Sequence, residues 1–356
     1  MLVTGRTVVR RCVECLAVAL IVSPVPMAGQ ALKARILQTN AAGDGVAVID
    51  VATDRVMAQI TGIEAPNGVA VSKDGKRIFI TCEGDHTLVA VDGKTLKEIK
   101  RIALEGKPNG AGYTDGKVYV AIDTTPGGLD VIDANALTKI KHIPLDGVNM
   151  HYAVATQDGK FVVATSNGTE QIVMVIDEKT DQKLWSVKLD ERVRVPAFFN
   201  NPDGSTRWMF VNIAGLSGFV VVDWDTHKVI KRVETPWAGS KALLVESAQR
   251  RGIGGANGHD TPSHGVAVTP DNKSVWVNSR NDNCVYGYSL PDLKLLGFVP
   301  VGYDPMWISF SPDSKKLYEA NNGSGTASVI DISTMTEVLQ VHTGNGPSRN
   351  DLVMLP

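Results

Sequence analysis

The residues best able to do chemistry cluster behind a glycine-rich run. GIGGANG (252–258) leads straight into His259 and Asp260, and His264 follows four positions later. Imidazole beside carboxylate suits two chemistries. One is general base catalysis, with His264 or His151 taking a proton, Asp260 orienting the imidazole and Arg349 holding an anionic group. The other is coordination of a transition metal such as zinc, copper or iron by His151, His259, Asp260 and His264. No H-x-x-x-H on a helix, paired C-x-x-C, nucleophile elbow or phosphate-cradling loop accompanies them. Beyond that metal reading, no cofactor is expected.

Side chains so far apart in sequence need a scaffold, and the sequence repeats itself. Strand-like runs end at Asp50, Asp92, Asp133, Asp177, Asp223 and Asp331, at steps of 42, 41, 44, 46 and 108. CVYGYS, ending at Ser289, divides the long step into 66 and 42, which makes seven units. A second run, β-branched and aromatic, closes at Asn40, Cys82, Ile122, Ser166, Ile213, Ser279 and Asn321, ten or eleven residues before each marker. Turns such as Asp74-Gly75, Asp115-Gly116, Asp158-Gly159 and Asp203-Gly204 precede these runs, and Asp-Gly tolerates the positive φ of a two-residue hairpin. Each unit therefore reads as four short antiparallel strands, and no 3.6-residue apolar rhythm competes with that reading. Four strands at this period describe a blade, and seven blades an all-β, seven-bladed β-propeller. The first strand-like run (34–40) is a second strand and the last (349–355) a first strand, so the two termini are expected to share a blade and leave no free sheet edge.

The ends of the chain bound the rest. Arg6, Arg10 and Arg11 precede an apolar run from Cys12 to Val22, followed by Ser23, Pro24, Pro26, Ala28, Gly29 and Ala31. This is the pattern of a secretory signal peptide over 1–28, cleaved near 28–31 and too short to span a bilayer as a helix. The remainder, 32–356, is expected to form a single propeller carrying an insertion at 236–262. Removing Arg6, Arg10, Arg11 and Glu14 leaves 33 basic and 37 acidic residues, a balance of −4, which gives no electrostatic case for nucleic acid. With 43% hydrophobic and 21% charged residues the chain is globular rather than disordered. Only Cys82 and Cys284 lie outside the leader, in blades that are not neighbours, so both are expected to be unpaired.

LQTN, FITC, YVAI, FVNI, WVNS and YEAN occupy the place of the tetrapeptide that names the YVTN β-propeller repeats, and GVAVSKDGKRIFITC with LVAVD is similar to that family's consensus. The resemblance covers residues 34 to 355. It implies an exported bacterial propeller, periplasmic or secreted, with relatives that include lactonases, lyases and haem-carrying reductase domains. Fold alone does not transfer function between them.

Ligands of propellers usually meet the face where inner strands begin. Counting along the repeat puts Asn67, Asn109, His151, Pro196, His264, Met306 and Arg349 at the mouth of the central channel. Trp208, Trp276 and Phe79 read as wedges between blades. The insertion, with helix-forming SKALLVESAQRR (240–251) and the hinge-like glycines after it, reads as a loop able to fold over the mouth. The sequence reading favours a non-catalytic scaffold that binds a protein partner or small molecule at this face through Asn67, Asn109, His151, His264, Met306 and Arg349. Its alternative is a lactonase-like hydrolase, a lyase or a metal enzyme using the histidines of the same face.

Overall fold

The structure, a computed structural model, describes residues 1–2, 32–236 and 261–356. Among these, 28 strands pair into seven four-stranded antiparallel sheets. The first blade consists of Lys33–Asn40, Gly45–Asp50 and Arg55–Thr61, with Pro347–Leu355 as its innermost strand. That closing strand pairs with Lys33–Asn40 from Lys33↔Leu355 to Asn40↔Pro347, as the sequence implies. Blades two to seven begin with the inner strands Pro66–Val71, Lys107–Thr114, Met150–Ala155, Val193–Asn200, Val266–Val268 and Pro305–Phe310.

The marker residues earn their place in the repeat through local hydrogen bonding. Asp50, Asp92, Asp133, Asp177, Asp223 and Asp331 each end a third strand, and Oδ1 of each accepts main-chain N–H groups two or three residues on. The turn then closes through a residue of positive φ four positions after the marker, Asp54, Leu96, Leu137, Asp181, His227 and Met335. Short side-chain acceptors are favoured in such turns because they bind their own backbone. In the sixth blade Ser289 stands at the marker position, and its hydroxyl accepts instead from Lys294 N, five residues on. The Asp-Gly hairpins behave as expected, with φ of +68° at Gly75, +71° at Gly159 and +85° at Gly204.

Packing follows strand position. Second strands are buried beyond their first residues, and Phe79, Tyr119, Phe210, Trp276 and Tyr318 sit at one register as the wedges between neighbouring blades. Trp208 differs from expectation. It is half-buried near the rim, beneath the Arg207 guanidinium at 4.7 Å from its ring. Cys82 and Cys284 are buried free thiols. Two junctions carry the same polar latch. Tyr119 donates to Asp181 of the next blade at 2.5 Å and Tyr318 to Asp54 at 2.5 Å, with Lys117 and Lys316 on the same carboxylates. Among the described residues no helix is long and apolar enough to cross a membrane.

Candidate functional site at the channel mouth

In six blades the ladder from the inner to the second strand slips within its first residues, at 66–69, 108–111, 150–152, 193–196, 305–307 and 347–349. Bulges of this kind redirect side chains. The equivalent pairs Val69↔Ile80, Ala111↔Val120, Ala153↔Ala164, Pro196↔Val211, Val266↔Val277, Ile308↔Glu319 and Asn350↔Gln38 set the blades in common register. One level then holds Asn67, Asn109, His151, Arg194, His264, Met306 and Ser348. The next level inward holds Gly68, Gly110, Tyr152, Val195, Gly265, Trp307 and Arg349.

This register corrects two sequence assignments. The hairpin joining Val193–Asn200 to Thr206–Ile213 is built from two eight-residue strands, so the mouth position lies two residues before Pro196, at Arg194. Arg349 lies one level deeper than expected, because no count along the chain reaches across the junction of its termini.

The deeper level is a plug. The Arg349 guanidinium stacks between Tyr152, 5.1 Å away, and Trp307, 4.9 Å away, while Nη2 donates to Asn109 Oδ1. Glycine makes room: a Cβ on Gly110 would lie 2.0 Å from Cδ2 of the Tyr152 ring. Arg349 is only 2% exposed, and its Nε and Nη1 are buried with no hydrogen-bond partner. A guanidinium held by aromatic faces keeps its charge but gains few acceptors, so the floor of the mouth is cationic and under-satisfied.

Above it the two histidines meet. The rings of His151 and His264 are 5.4 Å apart, edge to face, and His264 lies 6.0 Å from Trp307. His264 Nδ1 is 3.2 Å from Met306 O, so Met306 contributes its carbonyl rather than its sulfur. His151 faces the main-chain carbonyl of Arg194, and its Nδ1 is buried without a partner. Burial pushes both imidazoles well below the ordinary 6.5, and the cationic neighbours Arg349 and Arg194 push the same way. Both are therefore neutral at pH 7 and able to accept a proton. Arg194 is itself lowered to about 10 by burial and by Arg192, Arg280 and Arg349. Arg280 is ion-paired with Asp304 at 2.7 Å.

Glu319 underlies this geometry and gave no sequence signal beyond an acid inside YEAN, an apolar run. It is fully buried, and Oε1 accepts from Asn278 Nδ2 at 3.0 Å and Trp307 N at 3.1 Å. Asn278 Oδ1 in turn accepts from His264 N at 3.0 Å and Gly265 N at 2.9 Å. In the second blade a threonine does the equivalent work, Thr81 bonding Gly68 N and Asn109 O. Burial raises the Glu319 carboxyl well above its ordinary 4.5, so it sits there neutral.

The structure thus brings His151, His264, Met306, Arg349 and Asn109 together. Asn67 donates to Glu83, which pairs with Lys107, and belongs to the rim. His259, Asp260 and nearly all of the 236–262 insertion lie outside the described residues. Among the described residues no group of three or more His, Cys, Asp or Glu side chains is arranged to hold a metal.

Three solved structures share the architecture. A functionally unknown protein from Desulfotomaculum acetoxidans superposes with a TM-score of 0.72 at 12% identity, covering 90% of this chain and 99% of that one. Hydrazine synthase from Kuenenia stuttgartiensis gives 0.68 at 20%, covering 83% and 92%. The periplasmic gluconolactonase PpgL from Pseudomonas aeruginosa gives 0.68 at 15%, covering 91% and 100%. These likenesses are of fold. A comparison with curated proteins yields no match. The family model described as lactonase, 7-bladed β-propeller, matches residues 37–350, and on that match the chain belongs to the seven-bladed β-propeller lactonase family.

Proposed function

We propose that the channel mouth opens a lactone ring by hydrolysis, with His151 as the base and Arg349 and Arg194 as the cationic groups. The observation that carries this is the juxtaposition of neutral imidazoles with a buried guanidinium whose Nε and Nη1 lack partners. Water attacks the lactone carbonyl and gives its proton to His151. The developing oxyanion and the carboxylate it becomes are stabilised by the guanidiniums, in surroundings that exclude bulk water. As the ring C–O bond breaks, the imidazolium returns the proton to the departing alkoxide, leaving a hydroxy acid. Membership of the lactonase family supports the reading, and it reverses the order of preference that the sequence alone suggests. The YVTN-type repeats and the leader pattern at 1–28 support export, so the proposed site of action is the periplasm or beyond.

A second reading has its own support. Neither imidazole is hydrogen-bonded to a carboxylate among the described residues, their partners being the carbonyls of Met306 and Arg194. The same mouth would then bind an anionic hydroxy acid without turning anything over. Purified protein should be assayed on γ- and δ-lactones by acid release, and for hydroxy-acid binding by calorimetry. We expect His151→Ala to lower kcat by about 100-fold or more, as for loss of a general base, while the acid still binds. Hydrolysis at the wild-type rate in that variant refutes the mechanism. Acid binding that depends on Arg349 with no lactone turned over selects the second reading.

A further inference from the structure

Beyond the plug the central channel opens again towards the opposite face, as a cavity of about 290 Å3. Its cause lies in the inner strands of four consecutive blades, the fourth to the seventh. Ala197 and Ala267 occupy equivalent registers, opposite the bulky Phe210 and Trp276 of their own second strands. The large ring fills the space between blades, and the small partner leaves the axis empty. The rings of Tyr152, Phe198 and Trp307 contribute walls to the space. Pro196, which the sequence places at the mouth, lines this cavity instead.

Two polar side chains interrupt the lining, Asn200 donating from Nδ2 to Gln157 Oε1 at 2.6 Å. We propose that this cavity is a second ligand site, separate from the mouth, for a planar, mainly apolar aromatic molecule of one or two rings. The size fits: an engineered apolar cavity of about 150 Å3 admits benzene, and this one is nearly twice that. Aromatic walls supply offset and edge-to-face contacts to such a ring. Tyr152 and Trp307 form the partition, holding Arg349 on one side and lining the cavity on the other. The proposal does not rest on the lactonase reading and is read out without turnover.

The probe is indole, tested by ligand-observed NMR and calorimetry on the intact mature protein. Indole is expected to bind saturably at one site, unaffected by His151→Ala. Ala267→Leu, which fills the space, is expected to weaken indole at least tenfold; if that variant does not fold, Ala197→Val provides the same test. Absence of indole binding to the wild type overturns the proposal, as does wild-type affinity in the filled variant.

Discussion

Glu319 allows the most direct test of how the mouth is held. Its Oε1 accepts from Asn278 Nδ2 and Trp307 N, while Oε2 has no partner. A glutamine amide reproduces this arrangement, with oxygen towards both donors and NH2 where the protonated oxygen lies. Glu319→Gln should therefore cost less than about 1 kcal/mol, whereas Glu319→Leu strands two buried donors at about 1–3 kcal/mol each and should cost about 2–6 kcal/mol. The pH dependence is more discriminating. Burial raises the native carboxyl well above its ordinary 4.5, so the native state holds its proton longer than the unfolded chain does. Stability from this group is complete below about pH 4.5 and is lost as pH climbs through the native value. Glutamine does not titrate. Urea unfolding at pH 5 and pH 8 should thus show Glu319→Gln gaining on the wild type as pH rises. A constant difference between the two, or a glutamine variant as damaged as the leucine one, refutes the argument. The leucine variant should also disturb His264, reached through Asn278, visibly in its imidazole NMR signals, while glutamine leaves them in place.

The remaining predictions concern the base, the latches and the ring. Because burial and the neighbouring guanidiniums lower both imidazoles well below 6.5, the acid limb of kcat/KM for a hydrolysed lactone should fall well below pH 6.5, and a midpoint at or above 6.5 contradicts the site. Tyr318→Phe removes the donor to Asp54 but leaves Lys316 on that carboxylate at 2.6 Å, so about 1–2 kcal/mol and a drop in Tm of about 2–4 °C are expected by calorimetry. Deleting 347–356 strips the partner strand from Lys33–Asn40 and with it the buried Val353 and Leu355, each worth about 1.5–3 kcal/mol. Since a domain's total stability is about 5–15 kcal/mol, the truncated chain should lose its cooperative melt, and a transition within a few degrees of wild type refutes the closure argument.

Fold and site differ in how far the sequence exposes them. The blades are legible because each marker aspartate and each Asp-Gly turn is a local device: Asp92 binds N–H groups two and three residues away wherever it sits. Asn109, His151, His264 and Met306 are legible for a related reason, since the repeat carries them to the start of successive inner strands. Arg194 is hidden by the longer hairpin that follows it, which shifts the count by two. Glu319 is hidden because its role exists only across a blade junction, where it substitutes for the short link that Thr81 provides elsewhere. The division of the channel is hidden as well. It depends on Arg349 being sandwiched between rings from the fourth and seventh blades, and no spacing along the chain encodes that encounter.

That encounter ties the chemistry of the mouth to the closure of the ring. Pro347–Leu355 is at once the strand that completes the first blade and the segment that carries Arg349. Thr39 accepts from Arg349 N and donates to Arg349 O, and Gln38 Nε2 donates to the same carbonyl, so the first strand of the chain grips the residue in the middle of the plug. Any loosening of the terminal strands therefore displaces the guanidinium from Tyr152 and Trp307. The electrostatic influence it exerts on His151 and His264 changes with it. A terminus is ordinarily the first part of a domain to fray. Here fraying has a chemical consequence, because the cation at the floor of the mouth is held in place by the same hydrogen bonds that keep the propeller shut.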